Sequence, residues 1–291
     1  MGYPDPGGHS RGRFPRLEEL QESGWLLQRR LLLQRMLFPR QLRRRSVLLL
    51  LQSGRGKERK EIMIRTILWD VDGTLLDFHA AEGNALRSLF REFGFGELND
   101  EDLARYKALN ISLWKALERN EITKPRVLVG RFEKFFGDLG LDPSLAPAFN
   151  EKYQVRLGDT IVFLDDSYEI VKSLRGRVSQ YVVSNGTVQA QTKKLEASGL
   201  GELMDGVFLS EAIGTEKPGR AFFDAVLARI RPESPDQIVI IGDALSSDIL
   251  GGDRAGIRTC WYNPHGAGRD ISCRIDYEIR DLHQVLDLPL A

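Results

Sequence analysis

Apolar and polar positions change rhythm three times along the chain. Up to residue 62, arginines and leucines cluster, as in Trp25-Leu26-Leu27-Gln28-Arg29-Arg30-Leu31-Leu32-Leu33. Residues 64–69 then form a short, mostly apolar run stopped by Asp70, which predicts a buried strand. Over residues 78–164 the spacing is helical. Ala85, Leu86, Leu89, Phe90 and Phe93 make one such set, and Leu103, Tyr106, Leu109, Leu113 and Leu117 a second. Val127, Leu128, Phe132, Phe135 and Phe136 make a third. Gly94, Asp142-Pro143 and Pro147 punctuate them. From residue 165 onward short apolar runs alternate with amphipathic stretches. Helices are predicted over 167–175, 188–198, 218–231 and 247–255, and strands over 178–184, 206–209, 237–241 and 257–262. That alternation predicts a parallel sheet covered on both faces. The fold class is therefore α/β. A core of residues 63–77 and 165–291 is interrupted after its first strand by an all-helical insert, 78–164, long enough to be a small domain.

Charge separates the first segment from the rest. The chain of 291 residues carries 41 basic and 41 acidic side chains, but residues 1–62 hold 14 basic and only 6 acidic ones. An Arg-rich amphipathic helix there would suit a transit peptide or a membrane-surface helix. The longest apolar run, 47–51, falls far short of the roughly 20 residues of a bilayer span, so no transmembrane helix is expected. A second reading rests on Gly54-Arg55-Gly56-Lys57-Glu58-Arg59-Lys60-Glu61, whose amino acids all have purine-rich codons, like a translated ribosome-binding site just before Met63. Residues 1–62 are expected to be a basic extension that is disordered or not native. Over the whole chain the composition, 42% apolar and 28% charged, excludes a disordered, collagen-like or coiled-coil chain. Two cysteines, Cys260 and Cys273, are too few for a disulfide framework and point to a reducing compartment. Cys260 falls in a predicted strand and reads as an inert core thiol.

The chemistry gathers at predicted strand ends, where an open parallel sheet places its ligand crevice. After the first strand comes Asp70-Val71-Asp72-Gly73-Thr74-Leu75. Two carboxylates beside a sharp turn can face one crevice, one attacking phosphorus and the other donating and taking up a proton. An Asx turn closing the strand would also explain the Asp-Gly pair. After the second strand, Ser184-Asn185-Gly186-Thr187 precedes a helix and can form an anion site, or simply cap that helix. Lys217, before Pro218, can meet phosphate as a point charge or lie solvated at the surface, and the proline suits a first helical turn. The fourth strand ends Gly242-Asp243, followed by Asp248. Asp243 with Asp70 supplies the one or two carboxylates that Mg²⁺ takes, whereas Asp248 could equally be a first-turn residue favoured by the helix dipole.

Taken in order, these strings resemble the four motifs of the haloacid dehalogenase-like hydrolase superfamily, over Met63 to the C-terminus. The resemblance implies a Rossmannoid three-layer core with a type-one (C1) cap over small-molecule phosphates. It also implies Mg²⁺ dependence and an aspartyl-phosphate intermediate. By that likeness Asp70 is nucleophile and metal ligand. Asp72 is acid/base and offers its carbonyl to the metal. Ser184, Asn185, Gly186 and Lys217 hold phosphate, and Asp243 completes the metal site with Asp248 behind it. Asp72 argues against a dehalogenase, which lacks a second aspartate at that place.

A finer resemblance is to the YjjG-like branch of 5′-nucleotidases, which favours pyrimidine or non-canonical nucleoside monophosphates. It is carried by Tyr106-Lys107-Ala108-Leu109-Asn110 with Leu113-Trp114, by Gly130-Arg131-Phe132, by Ser247-Asp248-Ile249-Leu250-Gly251-Gly252 and Ala255-Gly256-Ile257, and by Thr259-Cys260-Trp261-Tyr262-Asn263. Where that branch often has a Pro-Gly turn, this chain has Leu164-Asp165-Asp166. In the insert, Asn110, Trp114 and Arg131 are candidates to contact base or sugar, against the alternative of helix packing for Trp114 and solvation for Arg131. The expectation is a cytoplasmic, Mg²⁺-dependent phosphomonoesterase acting on nucleoside 5′-monophosphates, monomeric or homodimeric, with neither nucleic-acid nor membrane partners. A sugar-phosphate phosphatase or phosphomutase and a non-catalytic binding protein on the same fold are the alternatives.

Overall fold

The tetrapeptide Thr66–Trp69 (β1) is buried on both faces, and its β-branched and aromatic side chains suit the centre of a sheet. The structure is a computed structural model and describes residues 63–291. Expectations about residues 1–62 lie outside the described residues.

After β1 the chain makes five helices: Phe78–Glu92 (α1), Asp100–Glu118 (α2), Lys124–Leu128 (α3), Gly130–Leu139 (α4) and Ala146–Arg156 (α5). Asp77 and Asn99 cap α1 and α2 by accepting from the backbone N–H groups of Ala80 and Asp102. The helices bury their apolar stripes against one another. Phe90, Phe132, Phe136, Phe149 and Tyr153 form the centre, with ring centroids 4.9–6.0 Å apart in tilted and edge-on pairs.

The remaining elements alternate: Ser167–Ser173 (α6), Ser179–Ser184 (β2), Val188–Ser198 (α7), Gly206–Leu209 (β3), Ser210–Ile213 (α8), Arg220–Ile230 (α9), Ile238–Gly242 (β4), Leu250–Ala255 (α10), Arg258–Tyr262 (β5) and Tyr277–Ile279 (β6). All six strands are parallel, in the order β3-β2-β1-β4-β5-β6. Successive side chains on each strand enter opposite layers. Ile67, Trp69, Val182, Val239 and Ile241 pack with α6 and α7. Leu68, Val183, Ile238 and Ile240 pack with Phe222, Phe223 and Val226 of α9. The result is the expected α/β Rossmannoid sandwich of three layers. Among the described residues no helix is long and apolar enough to cross a membrane.

Two segments lead into and out of the helical insert side by side, with Asp77 N–H donating to Val162 O and Leu164 N–H to Leu75 O. Asp165 and Asp166, standing in place of a Pro-Gly turn, adopt left-handed conformations with φ of 43° and 55°. The Asp165 carboxylate accepts from the Tyr262 hydroxyl at 2.7 Å and from the Leu282 N–H at 3.1 Å, so polar bonds to β5 and to the helical turn after β6 hold it.

Three expectations need correction. Pro218 does not open a helix: the Lys217-Pro218 peptide is cis, and α9 starts at Arg220 behind Gly219. The helix predicted from residue 247 begins two residues earlier, as a π-helical turn, Leu245–Ile249, which leads directly into α10. The strand β6 was not foreseen because only three residues pair at the sheet's edge, after a loop rich in polar residues.

Candidate active site

Sheet order reverses about β1, whose neighbours β2 and β4 feed connections on opposite sides, so the crevice opens at the carboxyl ends of β1 and β4. Asp70 follows β1 directly, and its N–H donates to Ile241 O at 2.9 Å, locking the β1 end to β4. The chain must then turn at once. Gly73 does so with φ of +92°, and a Cβ there would lie 2.7 Å from Asp243 Oδ2. Glycine is therefore required twice over, by backbone conformation and by the close approach of the Asp243 carboxylate. Gly242 is required by space alone, since a Cβ would fall 2.3 Å from Asp248 Oδ2. Thr74 fastens the two strand ends, its hydroxyl donating to Asp243 Oδ1 at 3.2 Å and accepting from the Asp243 N–H at 3.1 Å.

Lys217 is not a surface lysine. It is 1% exposed, and its Nζ donates to Asp70 Oδ1 at 2.8 Å, Asp248 Oδ1 at 2.6 Å and Val183 O at 2.9 Å. An ammonium has three donors, and all three are used. Asn185 sets this lysine's backbone, accepting from its N–H at 2.8 Å and donating to its C=O at 2.9 Å. Ser184 Oγ accepts from the Gly186 N–H at 3.0 Å, shaping the loop before α7. Asp248 does lie in a first helical turn, but it is buried and does more than meet the helix dipole: one of its oxygens accepts from Lys217 and the other from the Ala244 N–H at 3.2 Å.

The electrostatics follow from these neighbours. Burial pushes the Asp70 carboxyl well above the usual carboxylate range, against the pull of Lys217. Burial, and then repulsion from Asp248, pushes Asp243 up to about 7. Burial alone would lower the Lys217 ammonium, but Asp248 and Asp70 outweigh it and hold it above its ordinary value. Asp70, Asp243 and Asp248 each offer an oxygen within 4.8 Å of the others. Three carboxylates facing one lysine leave an excess of buried negative charge. The donors are all hard oxygens, the set a small divalent cation takes. Both oxygens of Asp248 already accept hydrogen bonds, which leaves Asp70 and Asp243 as the carboxylates with an oxygen to spare.

Above these strand ends the helical insert closes a cavity of about 340 Å³. Asp70, Asp72, Asn110, Trp114, Arg131, Ser184, Asn185, Gly186, Lys217, Asp243 and Asp248 all line it, so every site residue expected from the sequence reaches one chamber. Arg131 is 2% exposed, which excludes the solvated alternative. Its guanidinium lies 4.8 Å from the ring centroids of both Phe132 and Tyr153. It donates to Leu128 O, Asn110 Oδ1 and Asn150 Oδ1 at 3.2, 3.0 and 3.1 Å.

Four cavity residues escaped sequence reasoning. Lys194 and Gln191, on α7, grip the two oxygens of Asp72, Lys194 as an ion pair. Lys194 is 1% exposed and lies 5.0 Å from the Phe78 ring centroid. Glu82, on α1, is buried and accepts from Asn110 Nδ2 at 2.8 Å. Glu118, at the end of α2, lines the wall near Ser246, and burial raises its carboxyl above the usual range. No local pattern distinguishes these from surface charges on amphipathic helices. The one available signal is that Lys194 and Gln191 follow a phosphate-loop candidate on the helix it starts.

Comparison with known proteins agrees with this geometry. A sequence profile of haloacid dehalogenase-like hydrolases matches residues 67–262. The chain is 37% identical to the HAD-hydrolase YfnB of Bacillus subtilis over 221 residues, covering 76% of this chain and 93% of that one. It is 34% identical to the pyrimidine 5′-nucleotidase PynA of Streptococcus pneumoniae, covering 76% and 93%. To the pyrimidine 5′-nucleotidase YjjG of Escherichia coli it is 28% identical, covering 76% and 96%. The crystal structure of YfnB bound to magnesium, described as revealing interdomain movement, superposes with a TM-score of 0.73 at 35% identity. It covers 77% of this chain and 98% of that one.

Proposed function

This chain belongs to the haloacid dehalogenase-like hydrolase family, and we propose that it is a Mg²⁺-dependent phosphomonoesterase acting on nucleoside 5′-monophosphates. The observation that carries the reading is the convergence of Asp70, Lys217, Asp243 and Asp248 beneath a roofed cavity that also receives Asp72. The nucleotide part is supported by two relatives whose names specify pyrimidine 5′-nucleotidase activity.

Asp70 and Asp243, with the backbone carbonyl of Asp72, would hold the metal ion, and Asp248 would support them through Lys217 and the Ala244 N–H. Bound there, Mg²⁺ supplies charge neutralisation for the carboxylates and for the substrate's phosphoryl oxygens. A carboxylate oxygen of Asp70 attacks phosphorus, the bond from phosphorus to the ester oxygen breaks, and Asp72 gives its proton to that oxygen. Asp72 then takes a proton from water, the water oxygen attacks the same phosphorus, and the bond to Asp70 breaks to release inorganic phosphate. Lys217, whose donors are taken by Asp70, Asp248 and Val183 O, acts on the phosphoryl oxygens as a fixed positive charge, and the Ser184-Asn185-Gly186 loop lines the same chamber beside it. Residues 78–164 act as a cap that excludes bulk water. The free thiols Cys260 and Cys273 suit the cytoplasm, and burial pushes the Cys260 thiol up to about 12.

The test is phosphate release from a panel of nucleoside monophosphates and sugar phosphates, with and without Mg²⁺. Nucleotides are expected to be preferred, and Asp70→Asn to lower turnover by about 10⁴-fold or more. Preference for sugar phosphates would refute the nucleotide part. Metal-independent release, or an active Asp70→Asn variant, would refute the whole.

A further inference from the structure

The cavity wall opposite the aspartates carries a carboxylate, Glu82, that the phosphoryl-transfer chemistry does not use. It is 1% exposed and belongs to α1 of the insert. Its Oε1 accepts from Asn110 Nδ2 at 2.8 Å. The direction of that amide is forced. Arg131 can only donate, so Asn110 must turn Oδ1 toward Arg131 Nη1, at 3.0 Å, and Nδ2 toward Glu82. Arg131 is in turn held by Leu128 O, by Asn150 Oδ1 and between two aromatic rings. Glu82 is thereby held in place from behind.

The second oxygen, Oε2, has no hydrogen-bond donor among the described residues. Its ion-pair partner is His79, whose Nδ1 stands 3.6 Å away, beyond hydrogen-bond range, and whose imidazole is held above its ordinary value chiefly by Glu82. A buried carboxylate oxygen at a cavity wall that has an ion pair at 3.6 Å but no hydrogen bond keeps its capacity as a strong acceptor. The same cavity is also lined by Phe78, Ile111, Trp114 and Leu128, which offer apolar and aromatic surface. An anionic group is disfavoured there, because it would meet a like charge at short range.

We infer that Glu82 selects the leaving group, its Oε2 accepting one hydrogen bond from a neutral N–H or O–H of the substrate. This rests on the phosphomonoesterase reading above. In a nucleoside monophosphate the donor is either a ring N–H of the base or a sugar hydroxyl, and the two sources are separable. Glu82→Gln gives the sharper probe. Its amide oxygen must face Asn110 Nδ2, so an NH₂ donor replaces the acceptor at the cavity wall.

The experiment measures kcat and KM of the Mg²⁺-loaded wild type on uridine 5′-monophosphate, its 3-methyl analogue and its 2′-deoxy analogue, then repeats them on Glu82→Gln. The expected result is a loss of at least about 10-fold in kcat/KM, mostly in KM, for the analogue lacking the recognised donor. Loss with the 3-methyl analogue assigns the ring N–H, and loss with the 2′-deoxy analogue assigns the sugar hydroxyl. Glu82→Gln is expected to lose a similar factor on the parent nucleotide and to discriminate several-fold less against that analogue. Wild-type rates within 2-fold for all three substrates would overturn the inference, as would a variant that keeps the full discrimination. Ribose 5-phosphate and 2-deoxyribose 5-phosphate complete the set. If ribose 5-phosphate is turned over as fast as the nucleotide, the nucleotide reading fails. Glu82 is then judged on that sugar pair alone, by the same two criteria.

Discussion

The two ends of the cavity are built by opposite means. At the sheet, Asp70, Ser184 and Asp243 stand at the ends of three parallel strands whose backbone ladder sets their spacing, and Lys217 reaches in from the turn after α8. Their side chains are short of freedom and rich in charge: Lys217 spends every donor on fixed oxygens, and Thr74 bolts the β1 end to the β4 end. At the insert, Glu82, Asn110, Arg131, Asn150 and Gln154 come from four helices and meet inside an otherwise aromatic core. Their directions are set by one another. Gln154 donates to Asn150 Oδ1 and accepts from the Thr187 hydroxyl, so the chain of bonds runs back to the cap of α7 beside the phosphate loop. Rigid backbone positions the chemistry, while a relay of side chains shapes selectivity.

That contrast can be broken at either end. The largest effect is expected from Lys217→Met, which leaves Asp70 and Asp248 buried without their cation. About 3–5 kcal/mol of stability should be lost with the metal chelated, measured by denaturant unfolding. A loss below about 1 kcal/mol would mean that the strand-end cluster is relaxed by water and not held by Lys217. Next comes Lys194→Met, which frees Asp72 from its ion pair while keeping the stem over Phe78. If that pair positions the proton-transfer group, kcat should fall about 10²-fold with KM little changed. A raised KM with kcat unchanged would make Lys194 a substrate contact instead.

The pH dependence of the chelated protein tests the charge excess directly. Burial holds Asp243 up to about 7 and raises Asp70, whereas unfolded aspartates ionise near 3.8. Between those limits the folded state binds more protons than the unfolded one. Stability therefore falls as pH rises from about 4 to about 7, the reverse of an ordinary salt-bridged carboxylate. Thermal midpoints in chelator should decline across that window, the decline should flatten in Asp243→Asn, and added Mg²⁺ should raise the midpoint more at pH 8 than at pH 5. A midpoint that climbs with pH in chelator would contradict the assignment. The smallest effect is expected from Trp114→Ala, at the half-buried wall of the insert. KM for the nucleotide should rise about 3- to 10-fold, with kcat on the same substrate nearly constant.

The sheet end of the site was legible in the amino-acid sequence because each strand that ends there is a short apolar run closed by its own polar string. Asp70-Val71-Asp72-Gly73-Thr74 and Gly242-Asp243 declare both the strand and the place where it stops. Strand–helix alternation then implied the parallel sheet, and β3 and α7 fall within the residues expected for them. Asn110, Trp114 and Arg131 were singled out and do reach the cavity, but the sequence left open whether Arg131 was solvated. Glu82 carried no signal, and Lys194 only its place on the helix that follows the phosphate-loop candidate. Glu82 and Lys194 look like ordinary charges on amphipathic helices, and nothing local tells a buried glutamate from an exposed one.

What the sequence alone determined is the order of elements, the α/β class and the identity of the groups at each strand end, since these depend on local periodicity and on turns that few residues can make. The tertiary structure decided which charges are buried, and so which titrate abnormally, and which oxygen of each amide and carboxylate faces the cavity. Those outcomes depend on donors and acceptors brought together from distant helices. Only after packing removes water must each donor and acceptor find a specific partner.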